Sequence, residues 1–168
     1  MDGLDRAKNE PRRGLSSTGQ SAVRGVGKKG GITPMDYHYQ QLAAIQPNPE
    51  LTPDQVVKIQ LEGLQNNDLS RDNTGIRICF NFASPGNKLI TGPIGNFIKL
   101  VKTPAYNLLI GFERAEFSLM VVKGRTAQQA VRIIHTNGEN AVYAFVLSKQ
   151  DEEPYRDCWM TDAVIQQF

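Results

Sequence analysis

The sequence predicts an α+β fold in which helices come first and an antiparallel β-sheet follows. A helix with a clear N-terminal cap begins near residue 52, and a second helical stretch leads into the turn Ser84-Pro85-Gly86. From about Glu113 onward, the apolar residues instead follow the period of β-strands. The turn is well defined because proline restricts its own φ and moves the preceding residue out of the helical region.

The composition allows one domain with a hydrophobic core and a tail. The chain has 168 residues, of which 40% are hydrophobic and 21% are charged. No apolar run approaches the length of a membrane helix, so we expect a soluble protein without a membrane span. The two cysteines lack ligand spacing, which favours reduced thiols in the cytoplasm or chloroplast stroma over the alternative of a single disulfide.

Basic residues are concentrated near the start of the chain. Residues 1–30 hold seven Lys and Arg against three Asp and Glu, whereas the remaining residues hold twelve against fourteen. The globular part therefore lacks the electrostatic footprint of a nucleic-acid-binding domain. We expect no nucleic-acid partner for that part of the chain.

Residues 1–34 are predicted to form a disordered basic arm. They are rich in Gly, Ser, Arg and Lys, and they cannot bury enough apolar surface to offset the entropy of ordering. The arm lacks the apolar segment of a secretory signal, and its alternatives are an organelle transit peptide, an electrostatic tether and a plain solvated tail. Residues 35–50 are interpreted as a linker with a short helix from Met35 to Ala44, and residues 51–168 as a single domain.

The strongest local signal in the sequence is the start of a helix at Thr52. Thr52 suits the N-cap, Pro53 suits the first helical position, and Gln55 has the spacing to complete a capping box. Apolar residues then recur at helical spacing up to Leu64, which predicts one buried stripe. We expect this helix to form a wall of the core.

A second helix is predicted over residues 72–82. It ends at the turn Ser84-Pro85-Gly86, which cannot continue a helix. Phe80 and Phe82 then lie at a corner between two helical stretches. In that position they can close one end of the core.

Two short segments follow this turn. Residues 87–94 are interpreted as a loop, because Thr91-Gly92-Pro93 interrupts regular structure. Residues 95–102 resume a helical pattern, which ends before Pro104. The two glycines at positions 92 and 95 do not form a phosphate-binding loop, since no strand precedes them and no Gly-Lys-Ser/Thr sequence follows. We therefore predict no nucleotide cofactor, and no motif supports a metal.

The last third of the chain is predicted to form strands. They cover residues 115–123, 127–136, 141–149 and 155–166. Asn137-Gly138 marks a hairpin, because this pair supplies the positive φ values of a tight turn. The strand over residues 141–149 is apolar on both faces, so we expect helices on one face and a second subunit of a homodimer on the other.

Several segments resemble an uncharacterised plant and bacterial family, domain of unknown function 4864. The most telling are Phe80-Asn81-Phe82-Ala83-Ser84-Pro85, Asn96-Phe97-Ile98-Lys99-Leu100-Val101 and Trp159-Met160-Thr161-Asp162-Ala163-Val164. The likeness runs from about Leu51 to Val164. More broadly, the order of elements resembles the nuclear transport factor 2-like superfamily. That resemblance implies helices on the concave face of a curved, cone-like sheet, a pocket inside the cone and dimerisation through the sheet, but no activity.

The favoured function is a non-catalytic module that binds a small apolar ligand or another protein. Inside the implied cone, aromatic side chains would line an apolar cavity, which is the usual character of a small-ligand site. The residues expected to line it are Phe97, Tyr106, Phe117, Tyr143, Phe145 and Trp159. The alternatives are a structural scaffold subunit and an acid–base enzyme of the isomerase or dehydratase type.

An enzyme of that type would need an acid or base inside the cone, where desolvation raises the pKa of a carboxylate. The candidates are Asp162, His135, Glu116 and Asp157. Asp162 is the strongest because an acid is unusual in the middle of a strand, although a hydrogen bond to the backbone or to Arg132 is the simpler expectation. His135 lies beside the predicted hairpin turn, which favours a solvent-facing position. Glu116 points outward if Phe117 points inward.

Overall fold

The computed structural model describes residues 31, 33–67 and 72–168 of the chain. The arm predicted over residues 1–34 lies outside this part except at its end. Contacts join Ile32–Phe168 into one unit, and the predicted division of the chain into arm, linker and domain stays a prediction. The α+β fold is confirmed, because helices precede an antiparallel sheet. No helix in the described part is long and apolar enough to cross a membrane.

All the helices of the described part precede all its strands. The helices are α1 (Pro34–Ala44), α2 (Pro53–Gln65), α3 (Thr74–Asn81), α4 (Pro85–Thr91) and α5 (Ile94–Val101), and a short 3-10 helix follows at Asn107–Leu109. The strands are β1 (Arg114–Phe117), β2 (Val121–Lys123), β3 (Thr126–Ile134), β4 (Asn140–Lys149) and β5 (Trp159–Gln167).

The first two helices begin at capped Thr-Pro sequences. In α2 the predicted start is confirmed, and the Gln55 side chain accepts a hydrogen bond of 2.9 Å from the Thr52 backbone N–H. The α1 helix begins in the same way, with a capping box between Thr33 and Asp36. It buries Leu42 against the core and so belongs to the same packed unit.

The loop predicted over residues 87–94 is wrong, because α4 occupies most of it. Ser84 is the N-cap of α4, and its hydroxyl accepts a hydrogen bond of 3.2 Å from the Asn87 backbone N–H. Pro85 therefore starts a helix as well as ending the preceding one, because its fixed φ suits the first helical position. The helix ends at Gly92, whose φ of 78° few other residues adopt.

The sheet has the order β1-β3-β4-β5, and β2 also pairs with β3. The single strand predicted over residues 115–123 is therefore wrong, because the structure divides it into β1 and β2. Ser118 lies at the break, and its hydroxyl accepts the hydrogen bond from the Ala130 N–H at 3.0 Å. A side chain thus replaces a backbone carbonyl in the ladder, and regular pairing stops there.

The hairpin predicted between the two longest strands is confirmed, although its turn is wider than expected. Residues 135–139 connect β3 to β4, and within them Gly138 alone has a positive φ, of 85°. The last strand begins at Trp159, four residues later than predicted. The preceding loop is held by Arg125, which pairs with Asp151 at 2.9 Å and with Asp157 at 3.1 Å.

The core lies between the helices and one face of the sheet. Tyr143, Phe145 and Leu147 alternate along β4 on this face, and each is fully buried. They join one cluster with the apolar stripe of α2, including Val57 and Leu61. The helices thus cover the inner face of the sheet. Their side chains also lie against β5, which is an edge strand of the sheet.

Candidate ligand-binding cavity

A cavity of about 300 Å³ lies between the helices and the edge strand β5. Most of its lining residues are apolar. They are Leu64, Ala83, Ile90, Phe97, Leu100, Val101, Leu109, Phe145, Ala163, Val164 and Ile165. The polar ones are Gln60, Cys79, Asn87, Thr91, Tyr106, Thr161 and Asp162. The volume is at the lower end of the range for small-molecule sites.

The corner between α3 and α4 is attached to β5 and forms one side of the cavity. The Thr161 N–H donates to the Phe82 carbonyl at 2.7 Å, and the Ser84 N–H donates to the Thr161 carbonyl at 2.9 Å. Ser84 has an extended backbone because a proline follows it, and this conformation allows the corner to pair like a short parallel strand. The aromatic corner predicted from the sequence therefore extends the sheet. Phe82 is fully buried there.

Gln60 and Thr161 form a buried polar pair in the wall of the cavity. The Thr161 hydroxyl donates to Gln60 Oε1 at 2.6 Å, and Gln60 Nε2 donates to the Cys79 carbonyl at 3.1 Å. Both side chains are about 1% exposed. Sequence reasoning missed this pair, although a glutamine four residues after Val56 and four before Leu64 stands out on an apolar stripe.

Three further polar side chains of the lining donate hydrogen bonds within the protein, and Asn87 uses one of its two amide protons in this way. The Tyr106 hydroxyl donates to the Val164 carbonyl at 3.2 Å, and Asn87 Nδ2 donates to the Thr161 carbonyl at 3.1 Å. The Thr91 hydroxyl donates to the carbonyl of Asn87 at 3.1 Å. The bonds of Tyr106 and Asn87 attach the 3-10 region and α4 to the edge strand, and the Thr91 bond lies within α4. Among these three side chains, only the Asn87 amide keeps a proton that is not used in the described part of the chain.

Asp162 occupies a β-bulge in the edge strand. Thr161 pairs with Leu147 and Ala163 pairs with Val146, so Asp162 is the extra residue between them. A bulge redirects side chains and occurs often beside functional sites. Asp162 is half-buried, and its carboxylate has no hydrogen bond or ion pair with the described part of the chain, including Arg132. It is also the one charged side chain among the described lining residues.

The structure brings some of the other predicted site residues together at this cavity. Phe97, Tyr106 and Phe145 line it. Tyr143 lies behind Tyr106, with ring centroids 6.4 Å apart, and its hydroxyl donates to the Ala105 carbonyl at 2.9 Å. Burial raises the pKa of Tyr143 to about 12, with a smaller contribution from Tyr106.

Other predicted site residues lie elsewhere. Trp159 is buried in the core outside the cavity lining, and Phe117 borders a more open groove between α1, α2 and β1. His135 is half-buried, and its Nε2 donates to the Leu108 carbonyl at 2.7 Å. Glu116 pairs with Arg114 at 3.0 Å on the surface.

The described residues contain no group of three His, Cys, Asp or Glu side chains that could hold a metal ion. Asp157, the remaining acid predicted from the sequence, pairs with Arg125 in the loop before β5 and does not line the cavity. The free thiols of Cys79 and Cys158 are both buried. The chemistry available in the cavity is therefore mainly apolar contact, with one carboxylate and the Asn87 amide as its polar groups.

Comparison with known proteins identifies a family for the chain. No curated protein and no solved structure is significantly similar to it. The family model described as Domain of unknown function (DUF4864) matches residues 41–166, which is more than half of the chain. The chain therefore belongs to this family of domains of unknown function, as its Phe-x-Phe-Ala-Ser-Pro corner and Asn-Phe-x-x-Leu-Val helix predicted.

Proposed function

We propose that this domain binds a small, largely apolar molecule in the cavity beside β5. The observation that carries the proposal is the cavity itself, about 300 Å³ in volume and lined mainly by aliphatic and aromatic side chains. Close packing is the rule in protein interiors, so a space of this size needs a reason. It corresponds to about ten water volumes, which suits a ligand of about ten non-hydrogen atoms.

The cavity reaches the protein surface beside α4. Ile90 lines the cavity and is 87% exposed, and the neighbouring Leu89 is equally exposed. No residue of α4 is buried. An apolar ligand entering at this side would cover Ile90 and remove apolar surface from water, which favours binding.

A matched pair of substitutions tests ligand binding. We expect 1-octanol to shift backbone NMR signals of cavity residues in the native protein. Leu100→Trp places a larger side chain in the cavity lining and should reduce octanol affinity at least about tenfold, because it fills the binding space. The control is Leu119→Trp, since Leu119 is 89% exposed and does not line the cavity. Octanol shifts spread over the surface, or equal effects of both substitutions, would contradict the proposal.

The proposal includes membership of the nuclear transport factor 2-like superfamily with its cone-like shape. Its support is the order of elements, helices first and an antiparallel sheet last, together with a cavity between the two. An experimental structure that superimposes on none of the superfamily's cones would contradict it.

The predicted location in the cytoplasm or chloroplast stroma also stays a prediction, which imaging of the tagged full chain would test.

We also propose that a second copy of the chain covers the outer face of the sheet. Val146 pairs with Ala163 and Ala144 pairs with Ile165 on this face, so its part formed by β4 and β5 is apolar, and Ile165 is 50% exposed. Light scattering should then give the mass of a dimer for the native chain and of a monomer for Val146→Lys, because Val146 lies on this face and is not a lining residue of the cavity. Leu119→Lys is the control for a lysine at an apolar site away from this face. A monomeric native chain at high micromolar concentration would overturn this proposal.

A second candidate function, acid–base catalysis of the isomerase or dehydratase type, rests on Asp162. A carboxylate in an apolar cavity without a partner among the described residues is the kind of group that removes a proton from carbon. The test is exchange of the protons next to the carbonyl of cyclohexanone in D₂O, followed by NMR. If the domain catalyses this reaction, exchange in its presence is faster than in buffer alone. Asp162→Asn should abolish the excess rate. Exchange at the buffer rate would exclude this activity toward simple ketones.

A further inference from the structure

We propose that the cavity selects ligands carrying a protonated amine and disfavours ligands carrying a carboxylate. This inference rests on the proposed function and adds the chemical class of the ligand's polar end. It depends on the charge inside the cavity, on the hydrogen bonds its wall already makes, and on the position of Asp162.

The charge of the cavity has one sign. Among the described lining residues Asp162 is charged, and none is Lys, Arg or His. The nearby Lys88 of α4 is not among the lining residues. Its Nζ lies 4.9 Å from the ring centroid of Phe80 and 5.7 Å from that of Tyr155. Lys99 and Lys102 are exposed and lie outside the lining as well. A ligand carboxylate would therefore meet a negative group at short range, and a ligand ammonium would meet its counter-charge.

The hydrogen-bonding capacity of the wall points in the same direction. The hydroxyl protons of Thr161 and Tyr106 are both donated within the protein, to Gln60 Oε1 and to the Val164 carbonyl. The hydroxyl of Thr91 likewise donates to a backbone carbonyl. A ligand carboxylate would need such protons, and of these side chains and Asn87 only the Asn87 amide keeps one that is not used in the described part of the chain. The Asp162 carboxylate offers unused acceptor oxygens to a ligand that donates.

The bulge explains why an acid is tolerated at this position. In a regular strand, side chains alternate between the two faces of the sheet. Because Asp162 is the extra residue in β5, its side chain does not have to follow this alternation. A half-buried carboxylate without a partner loses part of its hydration, and an ammonium group in the cavity would replace it. The aliphatic and aromatic walls would then hold the rest of the ligand.

Three probes of similar size and different charge test the inference. They are octylamine, which is protonated at pH 7, sodium octanoate and neutral 1-octanol, each titrated into the full chain by NMR. We expect octylamine to bind at least about tenfold more tightly than octanoate, because a charge-assisted hydrogen bond is typically worth that factor or more. In Asp162→Asn this ratio should fall to about one. Asp162→Glu keeps the charge and should keep the preference.

The control is Asp151→Asn, which removes the same charge from an exposed site. The Asp151 side chain is 81% exposed and pairs with Arg125 away from the cavity lining. If this variant loses the preference as well, the effect is a long-range one and the inference is overturned. Octanol binding without any preference between octylamine and octanoate overturns the inference and leaves the proposed function standing. Failure of all three probes to bind overturns both the inference and the proposed function. If Asp162→Asn does not fold, the ratio of octylamine to octanoate affinity in the native chain decides the inference.

Discussion

The two helix pairs that cover the sheet differ in how closely they pack. The α2 and α3 helices meet at Gly63 and Gly75, where a Cβ on Gly75 would lie 1.9 Å from the Gly63 carbonyl oxygen. Most residues of α2 are buried. By contrast, α4 has no buried residue, and a Cβ on Gly95 in α5 would meet no atom within 4 Å.

This difference assigns separate roles to the two pairs. The α2–α3 pair is in backbone contact and carries much of the core, so it fixes the position of Gln60 in the cavity wall. In the other pair, α5 buries Phe97 and Val101 in the core, whereas α4 is attached to β5 by hydrogen bonds near Thr161, and a space remains beneath the pair. Stability and ligand space thus come from different parts of one helical layer. Four predictions test this division, and they follow in order of decreasing expected effect.

The largest effect concerns the reactivity of Cys79 on α3. Burial raises the pKa of the Cys79 thiol to about 12 from its ordinary value of 9.0, although a hydrogen bond from Gln60 partly opposes the shift. The reactive thiolate should therefore be about a thousandfold scarcer in the folded protein than in the unfolded chain. Alkylation by iodoacetamide at pH 8, measured peptide by peptide with mass spectrometry, should be slower by that order.

The dependence of this reaction on pH has a definite sign. In urea the alkylation rate of Cys79 should level off above about pH 9, whereas in the folded protein it should still rise toward pH 12. The folded thiol holds its proton over this range and the unfolded thiol does not, so this group's contribution to stability is complete below pH 9 and is lost as pH rises to 12. Equal rates in folded and unfolded protein would show that the α2–α3 pair is open to solvent.

Gly75→Ala should cause the largest loss of stability. The added methyl group would overlap the Gly63 carbonyl and approach the Tyr39 hydroxyl at 2.7 Å, and the carbonyl belongs to the backbone and cannot rotate away. We expect the free energy of unfolding to fall by about 3 kcal/mol, the upper part of the range for overpacked cores. Urea denaturation measures it. A loss below about 1 kcal/mol would show that the two helices separate easily.

Thr161→Val tests the polar link between α2 and β5. The substitution keeps the shape of the side chain but removes the hydroxyl, which leaves Gln60 Oε1 buried without its 2.6 Å partner. The expected loss is about 1–3 kcal/mol, the usual cost of a buried unsatisfied polar group. The control is Thr126→Val, since Thr126 is exposed and its hydroxyl donates to Lys123 at the surface. Equal losses for both variants would mean that water reaches Gln60.

The sequence was most informative for the tightly packed pair and the strands. The start of α2 could be predicted because its signals, Thr52, Pro53 and Gln55, are local and agree with one another. The β3–β4 hairpin was predicted for the same reason. Alternation along β4 also identified the inward side chains, including Phe145.

The candidate site was predicted only in part because its geometry depends on distant contacts. Asp162 was identified as unusual, but the bulge that redirects it appears only when β5 pairs with β4. The attachment of Ser84 to Thr161 joins residues 77 positions apart, which no local pattern reveals. The α4 helix was missed because Pro85 both ends one helix and starts the next. In addition, α4 is too short for its apolar residues to show a helical period.

Gly95→Ala should have the smallest effect and the opposite sign to Gly75→Ala. Gly95 is exposed within α5, and a methyl group there would meet no atom within 4 Å, so the folded state bears no strain. Alanine restricts the unfolded chain more than glycine does, and we expect the free energy of unfolding to rise by about 0.5 kcal/mol. Urea denaturation of both variants side by side measures the contrast. If Gly95→Ala instead destabilised the protein, α5 would have to pack more tightly than the structure shows, and the distinction between a tight and a loose helix pair would fail.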